Sequence, residues 1–312
     1  MTTATAPAPS SIPVRSPVPT GLGGSTTVVV GGSSGIGLAA ATLLRGLGGR
    51  VVLVGRDPAR LAAAVARVRE AAGSSAAGQV RKDDQAREDG QGRARGDDKA
   101  QGDGKAQGDG KAQGDGDAPA DDGVLGVAAD GADEEALARA FDGAGSVDHV
   151  LVTSGGLVGF GPVTEVSAGD VRAVFEERVW GAFTAARLAA GRLPAGGSIT
   201  FSSGTYALRP TPGMTGPLAA IGAVETFTRG LAVELAARRV RVNAVRYGVI
   251  DTPLMRGASG LATDAAMAAA GSATLLGRYG TAEEAAASAL FLMANPYVTG
   301  QVITVDGGQS LV

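Results

Sequence analysis

Short β-branched and apolar runs alternate along this chain with longer stretches whose apolar residues return every three or four positions. The first run begins in TTVVVGGSSGIG, residues Thr26 to Gly37, and passes straight into helix-forming Leu38-Ala39-Ala40-Ala41. Further strand-like runs fall at 51–54, 124–130, 147–153, 197–203, 240–245 and 301–305. Helical patterns fill the intervals, at about 35–47, 58–72, 133–141, 167–193, 216–237 and 282–294. In the helix over 216–237, Val224, Phe227, Leu231 and Leu235 form one apolar stripe at spacings of three and four. Regular βαβ alternation predicts an α/β fold: a Rossmann-type doubly wound parallel sheet of about seven strands with helices on both faces, in a single domain. Ligands then belong at the carboxyl ends of the strands.

Two stretches break the rhythm. Residues 1–22 are rich in Pro, Ser and Thr, without the apolar core of a secretory signal, and are expected to be a disordered leader to a domain over 23–312. Residues 73–123 change to Gly, Asp, Lys, Gln and Ala, with KAQGDG repeating at Lys99, Lys105 and Lys111. With almost no apolar content this insertion cannot offset its ordering entropy, so a disordered surface excursion is expected.

The glycines of the first turn carry the first chemical signal. Gly31, Gly35 and Gly37 permit positive φ and let backbone N–H groups approach a phosphate, and the following helix N-terminus adds about half a positive charge. A pyrophosphate suits that turn. The 44% hydrophobic content supports a large core, and zero cysteine excludes a disulfide framework and thiolate metal sites and fits a reducing compartment. A single histidine, His149, leaves little for metal binding, so none is expected. Net charge −3 without a basic stripe argues against nucleic acid, and no apolar run approaches the ~20 residues that span a bilayer. A cytoplasmic, membrane-free protein is the expectation.

Several separated stretches resemble the short-chain dehydrogenase/reductase family across everything except the leader and the insertion. Val30-Gly31-Gly32-Ser33-Ser34-Gly35-Ile36-Gly37 is similar to its glycine motif, Thr153-Ser154-Gly155-Gly156 stands where the family has Asn-Asn-Ala-Gly, Arg241-Val242-Asn243-Ala244-Val245 matches a late strand, and Val305-Asp306-Gly307-Gly308 matches the C-terminal signature. The resemblance implies a nicotinamide cofactor held by Gly31, Ser33, Ser34, Gly35, Ile36, Gly37 and Gly155, with Asp130 touching the adenine and Ile250 and Thr252 toward the nicotinamide. At the end of the second strand Gly55-Arg56 stands where an acid would accept the adenosine 2′-hydroxyl, and a guanidinium there suits a 2′-phosphate, so NADP is favoured over NAD. The resemblance also implies a homodimer or homotetramer.

The catalytic positions depart from the family pattern. Ser203 keeps the place of its carbonyl-polarising serine, whereas Pro217 and Ile221 fall at the tyrosine and lysine positions and Arg178 at the asparagine position. Losing a positioned acid costs about 10² to 10⁴ in rate. Tyr206 is the best substitute proton donor, Tyr247 the second, and Arg178 suits an anionic or carbonyl substrate. Two functions follow: an NADP(H)-dependent oxidoreductase acting on a small carbonyl, alcohol or enone by an altered proton pathway, or a cofactor-binding pseudoenzyme serving as sensor or scaffold.

Overall fold

The computed structural model describes residues 19–73, 122–156, 158–257 and 260–312. In chain order the elements are β1 (Thr26–Val30), α1 (Gly35–Gly46), β2 (Arg50–Gly55), α2 (58–73), β3 (Val124–Ala128), α3 (Glu134–Ala144), β4 (His149–Val152), α4 (Ala168–Phe175), α5 (Gly181–Ala190), β5 (Ser198–Gly204), α6 (Thr215–Glu234) and β6 (Arg241–Tyr247). The chain ends with β7 (Ile250–Asp251), α7 (Pro253–Arg256), α8 (Asp264–Gly271), β8 (Gly280–Thr281), α9 (Ala282–Ala294) and β9 (Val302–Val305). Seven strands form one sheet in the order β3-β2-β1-β4-β5-β6-β9, every neighbour parallel. β7 and β8 pair separately.

Side-chain alternation along the strands builds two cores. Val28, Val30, Val52, Val54, Val150 and Val152 face α3, α5 and α6, while Val29, Val51, Leu53 and Leu151 face α1, α2 and α9. A parallel strand covered on both faces reads as a continuous apolar run, which is why TTVVV is wholly buried. The expected stripe on α6 is there: Val224, Leu231 and Leu235 are buried in the first core, with Phe227 packed against it. His149, at the amino end of β4, is buried with Nδ1 2.9 Å from Ser198 Oγ, far along the strand from its carboxyl end. Arg241, at the amino end of β6, donates to the carbonyls of Leu292 and Met293 in the last turn of α9, and burial pushes its pKa down to about 10.

Three expectations need adjustment. Pro19–Leu22, assigned to the leader, form a 3₁₀ turn whose Leu22 is buried in the second core, so the ordered domain begins earlier than residue 23. The rest of the leader and most of the insertion lie outside the described residues; Gly73 and residues 122–123 at the insertion's edges belong to the fold. The helix expected over 167–193 is broken by a π turn at Glu176–Trp180, which inserts an extra residue per turn between α4 and α5. Among the described residues no helix is long and apolar enough to cross a membrane.

Candidate functional site

Strand order reverses direction between β1 and β4, and a crevice opens there at the carboxyl ends. The loops that line it follow β1 (Gly31, Ser33, Ser34, Gly35, Ile36), β2 (Arg56, Asp57, then Arg60 on α2), β3 (Asp130, Gly131) and β4 (Thr153 to Gly156). Nine of the eleven cofactor-side candidates border this one cleft: Gly31, Ser33, Ser34, Gly35, Ile36, Arg56, Asp130, Gly155 and Thr252.

Its glycine end is shaped by backbone approach. Gly31 has φ 91°, and a Cβ there would sit 2.8 Å from the Ser154 nitrogen. Ser34 caps α1 without a side-chain hydrogen bond, so the first amides of that helix stay open to the cleft. These features fit the phosphates of a dinucleotide. Gly37 does not line the cleft. A Cβ on it would lie 2.3 Å from the Gly31 carbonyl oxygen, so its role is to let α1 close on the β1 turn. A Gly37→Ala chain is expected to lose about 1 to 3 kcal/mol of stability, since the clashing partner is backbone and cannot rotate away. Urea melts check this, and an unchanged midpoint would contradict it.

The Ile250 side chain also lies elsewhere, in a third core with Val245, Tyr247, Ala285 and Leu292, which leaves only its main chain for a ligand. Pairing of β7 with β8 turns that side chain inward. Thr252 caps α7 by accepting from the Met255 N–H.

Beyond α7 lies a second, larger cavity of about 970 Å³. Phe160, Met214, Val249, Met255, Ala270 and Ala273 supply apolar walls; Tyr206, Arg209, Thr211, Thr274, Tyr279 and Gln309 supply polar groups. Met255, Gly257, Ala270, Ala273, Thr274 and Tyr279 bring the segment after β7 to its wall. The segment between cleft and cavity is pinned by Arg256, which donates to both oxygens of Asp251 and to Asp264. That hydrogen bonding holds Asp251 below its ordinary pKa. The Arg278 guanidinium likewise holds Glu284 at the start of α9 down to about 2.

The catalytic candidates separate. Tyr206 sits on the 3₁₀ turn after β5, its ring over the end of that strand: a Cβ on Gly204 would be 2.5 Å from Tyr206 Cε1. It lines the large cavity, and among the described residues no hydrogen-bond partner holds its hydroxyl. Ser203 turns the other way. Its hydroxyl donates to Glu225 Oε1 at 2.6 Å, and the serine is only 7% exposed, so the proton expected to polarise a carbonyl is already committed. Glu225 in turn accepts from Arg246 Nε at 2.9 Å and from its terminal nitrogen at 2.6 Å, and Arg246 donates to Thr304 Oγ1. One buried network thus joins β5, α6, β6 and β9.

Arg178 does not line the cleft or the large cavity. Its guanidinium packs against Gly155 and donates to the Gly156 carbonyl at 3.2 Å, underneath the β4 loop, because the π turn rotates it there. A substrate-orienting role is not supported by that placement. Tyr247 donates to the Ala285 carbonyl, and burial raises its pKa. Pro217 and Ile221 are buried on α6.

Sequence reasoning missed Glu177, Arg60, Glu225 and Arg246. A charged side chain in the middle of a strand buried on both faces needs a polar partner, which for Arg246 was the available clue. Glu177, beside Arg178 in the π turn, accepts from the Gly156 N–H at 2.7 Å and from Arg56 at 2.9 Å.

Residues 110–310 match the family model described as enoyl-(acyl carrier protein) reductase, and residues 25–89 match that of short chain dehydrogenase. The chain belongs to the short-chain dehydrogenase/reductase family. That family comprises oxidoreductases with a nicotinamide cofactor, which agrees with the cleft at the β1/β4 reversal. The chain is 29% identical over 290 residues, 91% of its length and 98% of the relative's, to carbonyl reductase family member 4 of Danio rerio. It is 37% identical over 201 residues, 60% of its length and 85% of the relative's, to the inactive 2-(S)-hydroxypropyl-CoM dehydrogenase 2 of Xanthobacter autotrophicus. A small-chain dehydrogenase solved in complex with NADPH superposes with TM-score 0.64 and 26% identity, covering 92% of this chain and 99% of the other.

Proposed function

We propose that this short-chain dehydrogenase/reductase is an NADPH-dependent reductase of a carbonyl or enone carried on an extended, largely apolar molecule. A substrate larger than the small carbonyl expected from the sequence is supported by the cavity, whose volume stands at the top of the range for small-molecule sites. Bound NADPH supplies the hydride. Gly31, Ser34, Gly35 and the amides opening α1 hold its phosphates, with Arg56 toward the 2′-phosphate. Tyr206 delivers the proton to the developing alkoxide or enolate, and the apolar walls exclude water from it.

The Tyr206 hydroxyl carries this reading: it lines the cavity with no internal acceptor among the described residues, beside the end of β5. The test is a coenzyme titration followed by NADPH consumption over a panel of hydrophobic ketones and enones. Turnover above background with several members is expected. Arg56→Asp should weaken NADPH binding roughly tenfold or more, about 1.4 kcal/mol, while leaving NADH within about threefold.

A second reading, a cofactor-binding protein without turnover, draws on the commitment of Ser203 to Glu225 and on Pro217 and Ile221, none of which offers a proton to a substrate. NADPH binding with no consumption across the panel would select it.

A further inference from the structure

The cofactor cleft contains more acid than a pyridine-nucleotide phosphate wants. Of the charged side chains that line it, Arg56 and Arg60 are positive and Asp57, Asp130 and Glu177 are negative, a balance of two against three. Arg56 is exposed but is not an unclaimed cation. Its guanidinium donates to Glu177 Oε1 at 2.9 Å and has an Asp130 oxygen at 4.0 Å. The other Glu177 oxygen is fixed by the Gly156 N–H at 2.7 Å, so the carboxylate is anchored to the β4 loop from across the cleft. Glu177 is the less exposed partner, 23% against 62% for Arg56.

We propose that Glu177 is a specificity-determining residue that competes with the adenosine 2′-phosphate for Arg56 and thereby narrows the discrimination between NADPH and NADH. The proposal rests on the reading of this cleft as the coenzyme site and of Arg56 as its phosphate contact. A 2′-phosphate meets a guanidinium already engaged by a fixed carboxylate, and it must displace that contact before it can take the guanidinium for itself. NADH carries no group at that position and is indifferent to the contest. Two independent attachments keep Glu177 in place, so it cannot swing clear without breaking a charge-assisted hydrogen bond to backbone.

Glu177→Gln tests this with little disturbance, because the amide oxygen still accepts from Gly156 N–H while the charge is removed. Dissociation constants for NADPH and NADH are measured by calorimetry on the full chain. The expected result is NADPH binding tighter by roughly three- to tenfold, in line with a partly screened charge pair, and NADH changed by less than about twofold. In an Arg56→Gln background the same substitution should lose most of its effect on NADPH, which a general loosening of the cleft would not reproduce. Asp130→Asn, removing the more distant acid, gives a smaller shift in the same direction. An NADPH-to-NADH ratio unmoved by Glu177→Gln, or equal tightening of both coenzymes, overturns the proposal while leaving the coenzyme site intact. A wild-type chain that binds neither coenzyme overturns the site itself. Thermal melts of each variant confirm that the comparison is between folded proteins.

Discussion

Glu225→Ala is expected to cost about 3 to 5 kcal/mol of folding stability, among the largest effects of any single substitution in the chain. Glu225 and Arg246 are 8% and 10% exposed, and they meet through two hydrogen bonds. Deleting the acid strands a buried guanidinium that keeps only its hydrogen bond to Thr304 Oγ1, beside a Ser203 hydroxyl that has lost its acceptor. Removing both charges is a different matter, since a well-packed apolar pair of similar volume often stabilises as much as a buried ion pair. Glu225→Leu combined with Arg246→Met should therefore recover most of the loss. Urea denaturation of the single and double variants measures this, and a single-variant loss under about 1 kcal/mol would mean that the pair holds nothing together.

The second large effect concerns chemistry. Tyr206→Phe should lower kcat/KM for NADPH-dependent reduction by about 10² to 10⁴, the usual contribution of a positioned acid. Only one oxygen is removed, and the ring that covers Gly204 remains, so folding and coenzyme affinity should stay within experimental error. Steady-state kinetics on the best ketone or enone, paired with an NADPH titration, separates the two. A loss below about threefold would assign the proton to another group on the cavity wall, where Tyr279 is the next hydroxyl of suitable type.

The architecture was legible because it is written locally. Val28 to Val30 and Val150 to Val152 sort by odd and even position onto opposite faces, and a strand buried on both sides has no other reading. The cofactor-side candidates were legible for the same reason: each sits within a few residues of a strand's carboxyl end, and parallel pairing in register brings those ends together. What escaped the sequence is what depends on direction or on distant pairing. Ser203 and its neighbour Ser202 differ only by the parity of the strand, and that parity, together with Glu225 twenty-two positions away, decides where the hydroxyl points. The π turn left no trace in a helical pattern, yet its extra residue swings Arg178 beneath the β4 loop and brings Glu177 to the cleft. Arg56 looked like an open cation because nothing in its neighbourhood along the chain announces an acid 121 positions later.

Arg69 near the end of α2 meets Asp122 at 2.5 Å and also donates to the Val124 carbonyl at the start of β3. The points where the chain leaves and rejoins the domain around residues 74–121 are therefore tied to one another by the fold itself. Lengthening a connection between ends already held together costs little, because closure entropy grows only with the logarithm of its length. Over evolutionary time that stretch can gain or shed repeats while selection on the folded domain goes on undisturbed, so length differences among sister genes should concentrate there.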